Sequence, residues 1–149
     1  MIEIRKGRLS DTERIVELQL QMAQETEGLQ LDKTLVRNGV DGVFHEPTRG
    51  TYWIAQEKDK VLAVLLAIPE WSDWRNATVL WIHSLFVIPE AREKGVFKKL
   101  YLNLKKQVEQ SPELAGIRLY VDKQNKPAQQ VYEKLGMNKY HYELYEWLK

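Results

Sequence analysis

The chain has 149 residues, of which 44% are apolar, with 22 basic side chains against 21 acidic ones and no cysteine. That length and apolar share suit a real hydrophobic core, so residues 1–149 are read as a single domain. The net charge of +1 gives no general attraction to nucleic acid or to a membrane surface, and the absent cysteines remove disulfides and thiolate metal sites.

Ile2 to Arg5 alternates and predicts a short strand. Ser10 and Glu13 then have the spacing of a capping box. Ile15, Leu18 and Met22 follow at helical period, widened by Val16, Leu20 and Ala23, until Gly28 breaks the helix. A second helix is expected from about Asp32 to Phe44, closed by Pro47 and Gly50. Thr51–Gln56 and Val61–Ile68 read as two strands of a hairpin around the polar turn Lys58-Asp59-Lys60. Pro69 to Asn76 reads as an interruption, and Ala77–Val87 as a long strand. Gly95 to Gln110 carries an apolar stripe at Phe97, Leu100, Tyr101, Leu104 and Val108, ending at Ser111-Pro112. Ile117–Val121 reads as a strand, and Asn125-Lys126-Pro127 is expected to open a last helix with Ala128, Val131, Tyr132 and Leu135 on one face and Gly136 as its stop. Tyr140 to Trp147 alternates in aromatics and reads as a final strand or an aromatic interface. The order β-α-α-β-β-β-α-β-α-β implies an α/β fold, a mixed sheet with helices on both faces.

The junction from Leu85 to Leu100 carries the chemistry. An apolar strand stops at Pro89, and Gly95 opens a helix. The first turn of such a helix presents free backbone N–H groups and the positive end of the helix dipole, which together hold phosphate. Lys94, Lys98 and Lys99 add positive charge at the same place, so a pyrophosphate-bearing cofactor is the first hypothesis.

With that element order, Arg92-x-x-Gly95 after the fourth strand resembles the GNAT N-acetyltransferase superfamily. A second, independent marker is Asn125-x-x-Ala128-x-x-x-Tyr132-x-x-x-Gly136, where Val131-Tyr132-Glu133-Lys134-Leu135-Gly136-Met137 is close to the wording of that family's later helix. The resemblance covers nearly the whole chain and implies a mostly antiparallel mixed sheet. Two positions depart from the pattern: Phe97 stands where the family has a small residue, and Glu93 where glycine is common.

The resemblance implies acetyl transfer from acetyl-CoA, as co-substrate, to an amine by direct attack. It assigns the backbone of Leu85, Phe86 and Val87 to the pantetheine arm and the acetyl oxygen. Arg92, Glu93, Lys94, Gly95, Val96, Phe97 and Lys98 would surround the pyrophosphate, with Asn125 and Ala128 as further cofactor contacts. Asn125 is equally a helix N-cap. Tyr132 matches the family's proton donor; its phenol, with an ordinary pKa near 10, is protonated at neutral pH. The same residue lies on an apolar helix face, where tyrosines also merely pack. His83 matches the strand position where many relatives carry a glutamate that helps deprotonate the amine, and imidazole suits that task near neutrality. By alternation it shares a face with Trp81, Leu85 and Val87, which reads equally as a packed aromatic surface.

On the acceptor side, Trp71, Asp73 and Trp74 are read as lying between two strands, and Glu25, Glu27 and Asp32 as lying in and after the first inter-helix loop, facing the same pocket. Tryptophan faces and carboxylates hold cationic amines, although a solvated charge cluster reads the same way. The expected acceptor is therefore a small-molecule, cationic primary amine. The alternatives are a protein N-terminal or lysine acetyltransferase and a catalytically silent acyl-CoA-binding regulatory domain. A nucleic-acid-binding module is disfavoured by the near-neutral charge and by Glu93. His45, His83 and His141 show no ligand spacing, so no metal is expected. No apolar run reaches the ~20 residues of a membrane span, and the first residues lack a signal-peptide core, so a cytoplasmic protein without membrane partners is expected. A homodimer is expected, with Tyr140–Trp147 as its aromatic interface.

Overall fold

Strand-period patterning from Glu3 to Val87 builds four antiparallel strands in the computed structural model, which describes residues 1–149. These are β1 (Glu3–Lys6), β2 (Thr51–Glu57), β3 (Lys60–Ser72) and β4 (Ala77–Val87), and β5 (Leu114–Leu119) joins β4 in parallel. The sheet order is β1-β2-β3-β4-β5, mixed and mostly antiparallel. The helices are α1 (Thr12–Glu27), α2 (Lys33–His45), α3 (Val96–Gln110) and α4 (Lys126–Lys134). Together they form an α/β fold that divides into two compact units, Met1–Leu119 and Tyr120–Lys149.

In the first unit, six successive residues of β3, Leu62 to Ala67, are buried. A strand half-covered by protein would alternate, so β3 is covered on both faces. Ile15, Val16 and Leu18 of α1 and Leu100 and Leu104 of α3 are all 0% exposed and supply that cover. Each such side chain contributes about 1.5–3 kcal/mol by leaving water.

The start of α1 differs from the expected Ser10–Glu13 box. Asp11 takes over instead: its Oδ2 accepts the Arg8 N–H at 2.7 Å, and both its oxygens accept from the Arg5 guanidinium at 2.8 and 2.9 Å. Glu13 is drawn away to Arg37 of α2, whose nitrogens donate at 2.7 and 2.6 Å. Asp32 caps α2 by accepting the Leu35 N–H at 2.9 Å.

The expected interruption at Pro69 is not there. β3 continues to Ser72, pairing Pro69 with Leu80 and Trp71 with Thr78, so only residues 73–76 form the turn. Proline is tolerated because β2 pairs no further than Ala67, which leaves that edge of β3 without a ladder to supply.

In the second unit, Gln129 is buried on α4 and ties three segments together. Its Nε2 donates to the carbonyls of Asp122 and Lys123 at 3.1 Å each, and its Oε1 accepts from Lys139 at 2.9 Å. The expected final strand at Tyr140–Trp147 does not form. A strand exists only within a ladder, and these residues enter none. Tyr140, Tyr142, Tyr145 and Trp147 are 78–91% exposed.

Candidate active site

The site in the first unit is built where β4 loses one of its neighbours. β5 pairs with β4 only from Thr78 to Ile82, so His83 to Val87 have β3 on one side and an open edge on the other. Ile88 donates its N–H to the Leu62 carbonyl at 2.9 Å, and hydrogen-bonded pairs recur every second residue in an antiparallel ladder. The N–H and C=O groups of Leu85 and Val87 therefore point to the open edge, while Phe86 bonds towards β3.

His83 sits at a break in the register. Ser84 pairs with Leu66 and Ile82 with Ala67, so His83 is the extra residue of a β-bulge. The bulge cancels the simple alternation expected for Trp81, His83, Leu85 and Val87. Buried positions are Ala77 and Val79 before it, Ile82 beside it, and Phe86 and Ile88 beyond, so the parity switches around the bulge. His83 is exposed, whereas Trp81 is partly covered and faces the Arg118 guanidinium at 6.0 Å. Arg118 also donates to Glu70 at 3.0 Å.

After β4, a 3-10 turn at Pro89–Ala91 leads into two left-handed residues, Glu93 at φ +62° and Gly95 at φ +72°. This explains why glycine suits position 93: a left-handed backbone is strained for any side chain. α3 begins with no side-chain cap, and its first intrahelical bond runs from the Lys99 N–H to the Gly95 carbonyl. The preceding N–H groups of the first turn are thus left for a ligand. Lys94, Lys98 and Lys99 are exposed and form no salt bridge. Phe97 is partly buried, with its ring 6.1 Å from that of Tyr101, along the helix's apolar stripe.

Three comparisons bear on this geometry. A family model described as the acetyltransferase (GNAT) family matches residues 13–137. The chain belongs to the GNAT acetyltransferase family. It is similar to the crystal structure of a possible acetyltransferase from Clostridium difficile 630, at 38% identity and a TM-score of 0.92, covering 100% of this chain and 98% of that one. More distant structures share the fold. One is a ribosomal-protein-alanine N-acetyltransferase from Brucella melitensis biovar Abortus 2308, with 12% identity, a TM-score of 0.79 and coverage of 99% of this chain and 100% of that one. Another is AAC(6')-Iy in complex with the bisubstrate analogue CoA-S-monomethyl-acetylneamine, with 15% identity, a TM-score of 0.79 and coverage of 100% and 99%. No curated protein sequence matches the chain.

Acetyl-CoA is the co-substrate of GNAT acetyltransferases, and the residues present fit it. A Cβ added at Gly95 would meet nothing within 4 Å, so the backbone there is open to close approach. The uncapped α3 N-terminus and three lysines suit a pyrophosphate, and the free edge at Leu85 suits the amides of a pantetheine arm.

The remaining candidates fall in separate places. Glu25 is not free, because its carboxylate pairs with Arg92 at 2.5 Å. That contact holds the Glu25 carboxyl below its ordinary pKa, chiefly through the Arg92 hydrogen bond. Glu27 is exposed at the end of α1 and forms no ion pair. Trp71, 63% exposed, lies in β3, and Trp74, 92% exposed, lies in the turn, where Asp73 accepts the Trp74 N–H at 2.9 Å. In the second unit, Asn125 caps α4 by accepting the Ala128 N–H at 3.2 Å. Tyr132 is half-buried on that helix, and burial raises its phenol pKa above the ordinary 10. Arg118 was missed by sequence reasoning, as was the pairing of Glu25 with Arg92. Opposite charge was the only signal for either, and it does not choose among many partners.

Proposed function

We propose that the chain is an acetyl-CoA-dependent N-acetyltransferase that transfers acetyl to the primary amine of a small, cationic acceptor by direct attack. The observation that carries this reading is the free backbone edge of β4 at Leu85, running into the uncapped start of α3. The family model crosses the boundary between the two units, which supports reading residues 1–149 as one catalytic domain.

Acetyl-CoA supplies an acetyl thioester. Leu85 offers its free N–H to the acetyl oxygen and so polarises the carbonyl for attack. Tyr132 gives its hydroxyl proton to the departing thiolate sulfur as the carbon–nitrogen bond forms and the carbon–sulfur bond breaks. Its raised pKa keeps that proton in place near neutrality. His83, or water at its exposed position, takes the proton that the amine loses, and Tyr132 is reprotonated from solvent. The loop from Arg92 to Lys98 would surround the pyrophosphate through its backbone N–H groups and lysines, and the family resemblance adds Asn125 and Ala128 as cofactor contacts. Trp71 and Trp74, exposed beside Asp73, favour a cationic acceptor through ring faces and a carboxylate.

The exposed aromatics from Tyr140 to Trp147 support a homodimer formed through that segment. No helix is long and apolar enough to cross a membrane. We read the protein as cytoplasmic, in keeping with its lack of cysteine.

The test is release of CoA from acetyl-CoA with polyamines, amino sugars, amino acids and peptides, comparing wild type with Tyr132→Phe. Turnover of small cationic amines that falls sharply in the variant supports the reading. Turnover of peptides alone makes the protein a protein acetyltransferase. CoA binding without any turnover makes it a silent acyl-CoA-binding domain.

A further inference from the structure

Arg92 opens the loop that precedes α3, yet its side chain, 42% exposed, turns back along the surface to the end of β4. Its Nε donates to the Val87 carbonyl at 3.1 Å, on the open edge of β4. Its guanidinium lies 5.5 Å from the centre of the Phe86 ring. Nη1 meets the carboxylate of Glu25, near the C-terminal end of α1, at 2.5 Å. One planar group thus spans three elements: the last residues of β4, the loop to α3, and α1. The Glu25 pairing raises the Arg92 pKa further, so the cation is permanent.

We propose that Arg92 is a positioning residue, held by Glu25, which fixes the end of β4 and the loop before α3 in the form that receives the cofactor. This rests on the reading of that loop as the pyrophosphate site. Two features favour a brace over a direct phosphate ligand. The guanidinium already donates through Nε to Val87 and meets Glu25 through Nη1, whereas Lys94, Lys98 and Lys99 form no salt bridge. A carboxylate directly against a phosphate-binding arginine would also weaken it for that task, whereas for a brace it is the anchor. The brace leaves Leu85 as the residue whose N–H and C=O both remain free at the open edge, because Val87 has given up its carbonyl.

The two roles predict opposite signs. If Arg92 contacted phosphate, Glu25→Gln would release it and remove a nearby negative charge, so CoA would bind more tightly. Arg92→Lys would then keep most of the affinity. As a brace, Arg92 needs both partners at once, which lysine lacks the fork to hold. Glu25→Gln and Arg92→Lys should each weaken CoA binding by about two- to fivefold, the range that a partly exposed charge pair carries. The double variant should be no weaker than either single one, since both remove the same interaction.

The experiment is calorimetric titration of CoA into wild type, Glu25→Gln, Arg92→Lys and the double variant, with amide hydrogen exchange of residues 88–95 measured on each protein without ligand. Equal, non-additive losses of affinity with faster exchange in all three variants support the brace. Tighter binding by Glu25→Gln, additive losses, or exchange unchanged from wild type would overturn it. Should wild type not bind CoA, the acetyltransferase reading fails, and the exchange arm still decides whether the brace exists.

Discussion

Gly95→Ala separates the backbone cost of the loop from its use by a ligand. Gly95 has φ +72°, where an L side chain costs about 1–2 kcal/mol. No packing cost is added, because a Cβ there meets nothing within 4 Å. Alanine also has fewer unfolded conformations than glycine, which offsets about 0.5 kcal/mol. The net loss should be about 1 kcal/mol, or roughly 2–4 °C in Tm for a domain of this size. Cofactor affinity should suffer more. The new methyl group occupies the open space that lets phosphate approach the backbone, so CoA should bind at least tenfold more weakly, about 1.4 kcal/mol. Differential scanning fluorimetry and calorimetric titration of one preparation read the two effects separately. A fall in Tm beyond ~8 °C would show hidden packing at Gly95. CoA affinity within twofold of wild type would show that the phosphate does not come near it, and the proposed cradle would be wrong.

Glu93→Gly is the opposite change at the neighbouring left-handed residue, φ +62°. Relief of strain and the added freedom of the unfolded chain nearly cancel, so Tm should stay level or rise slightly, while CoA binding should tighten as a carboxylate leaves the phosphate site; weaker binding in a titration would refute this. Tyr132 has its pKa raised by burial, so kcat at saturating acceptor should show no alkaline decline below pH 10; a Tyr132-dependent limb at lower pH would remove it as the proton donor. Asp11 has its pKa lowered from 3.8, first by the Arg5 hydrogen bonds, so its stabilisation is full above that value and lost as pH falls through the lower, folded one. Urea unfolding of Asp11→Asn should show a loss of about 1–3 kcal/mol at pH 7 that shrinks below pH 4, and a loss independent of pH would contradict the ion pair.

Much of the fold is legible in the sequence where local pattern and tertiary context agree. β4 runs from Ala77 to Val87 as its apolar run implies, and α3 ends at Gln110, just before Ser111-Pro112. The reading fails where an element depends on what lies beside it. Pro69 looks like a stop, but it is harmless on an edge that β2 has already left. Tyr140–Trp147 alternates like a strand, yet a strand needs a partner and none is engaged. The bulge at His83 has no local signal either, because it is a property of two strands in register. The left-handed backbone at Glu93 is equally hidden by its side chain, and only the family's preference for glycine hints at it.

The site itself shows a deeper reason for the silence of the sequence. Its central feature is a length of β4 backbone left open because β5 stops pairing at Ile82 while β4 continues to Val87. Any residue type able to sit in a strand presents the same N–H and C=O there, so side-chain identity at Leu85 and Val87 carries no functional mark. The side chains that do carry information decide which backbone groups remain available. Arg92 consumes the Val87 carbonyl, and the β3 ladder consumes the groups of Phe86. Leu85 is left as the residue with both groups exposed to a ligand. An extended amide chain bound along this edge would find both groups of Leu85 free, but at Val87 would compete with Arg92 for the carbonyl. Under the proposed function, strand pairing and one arginine, more than side chains around the reacting atoms, would set the register in which the thioester lies.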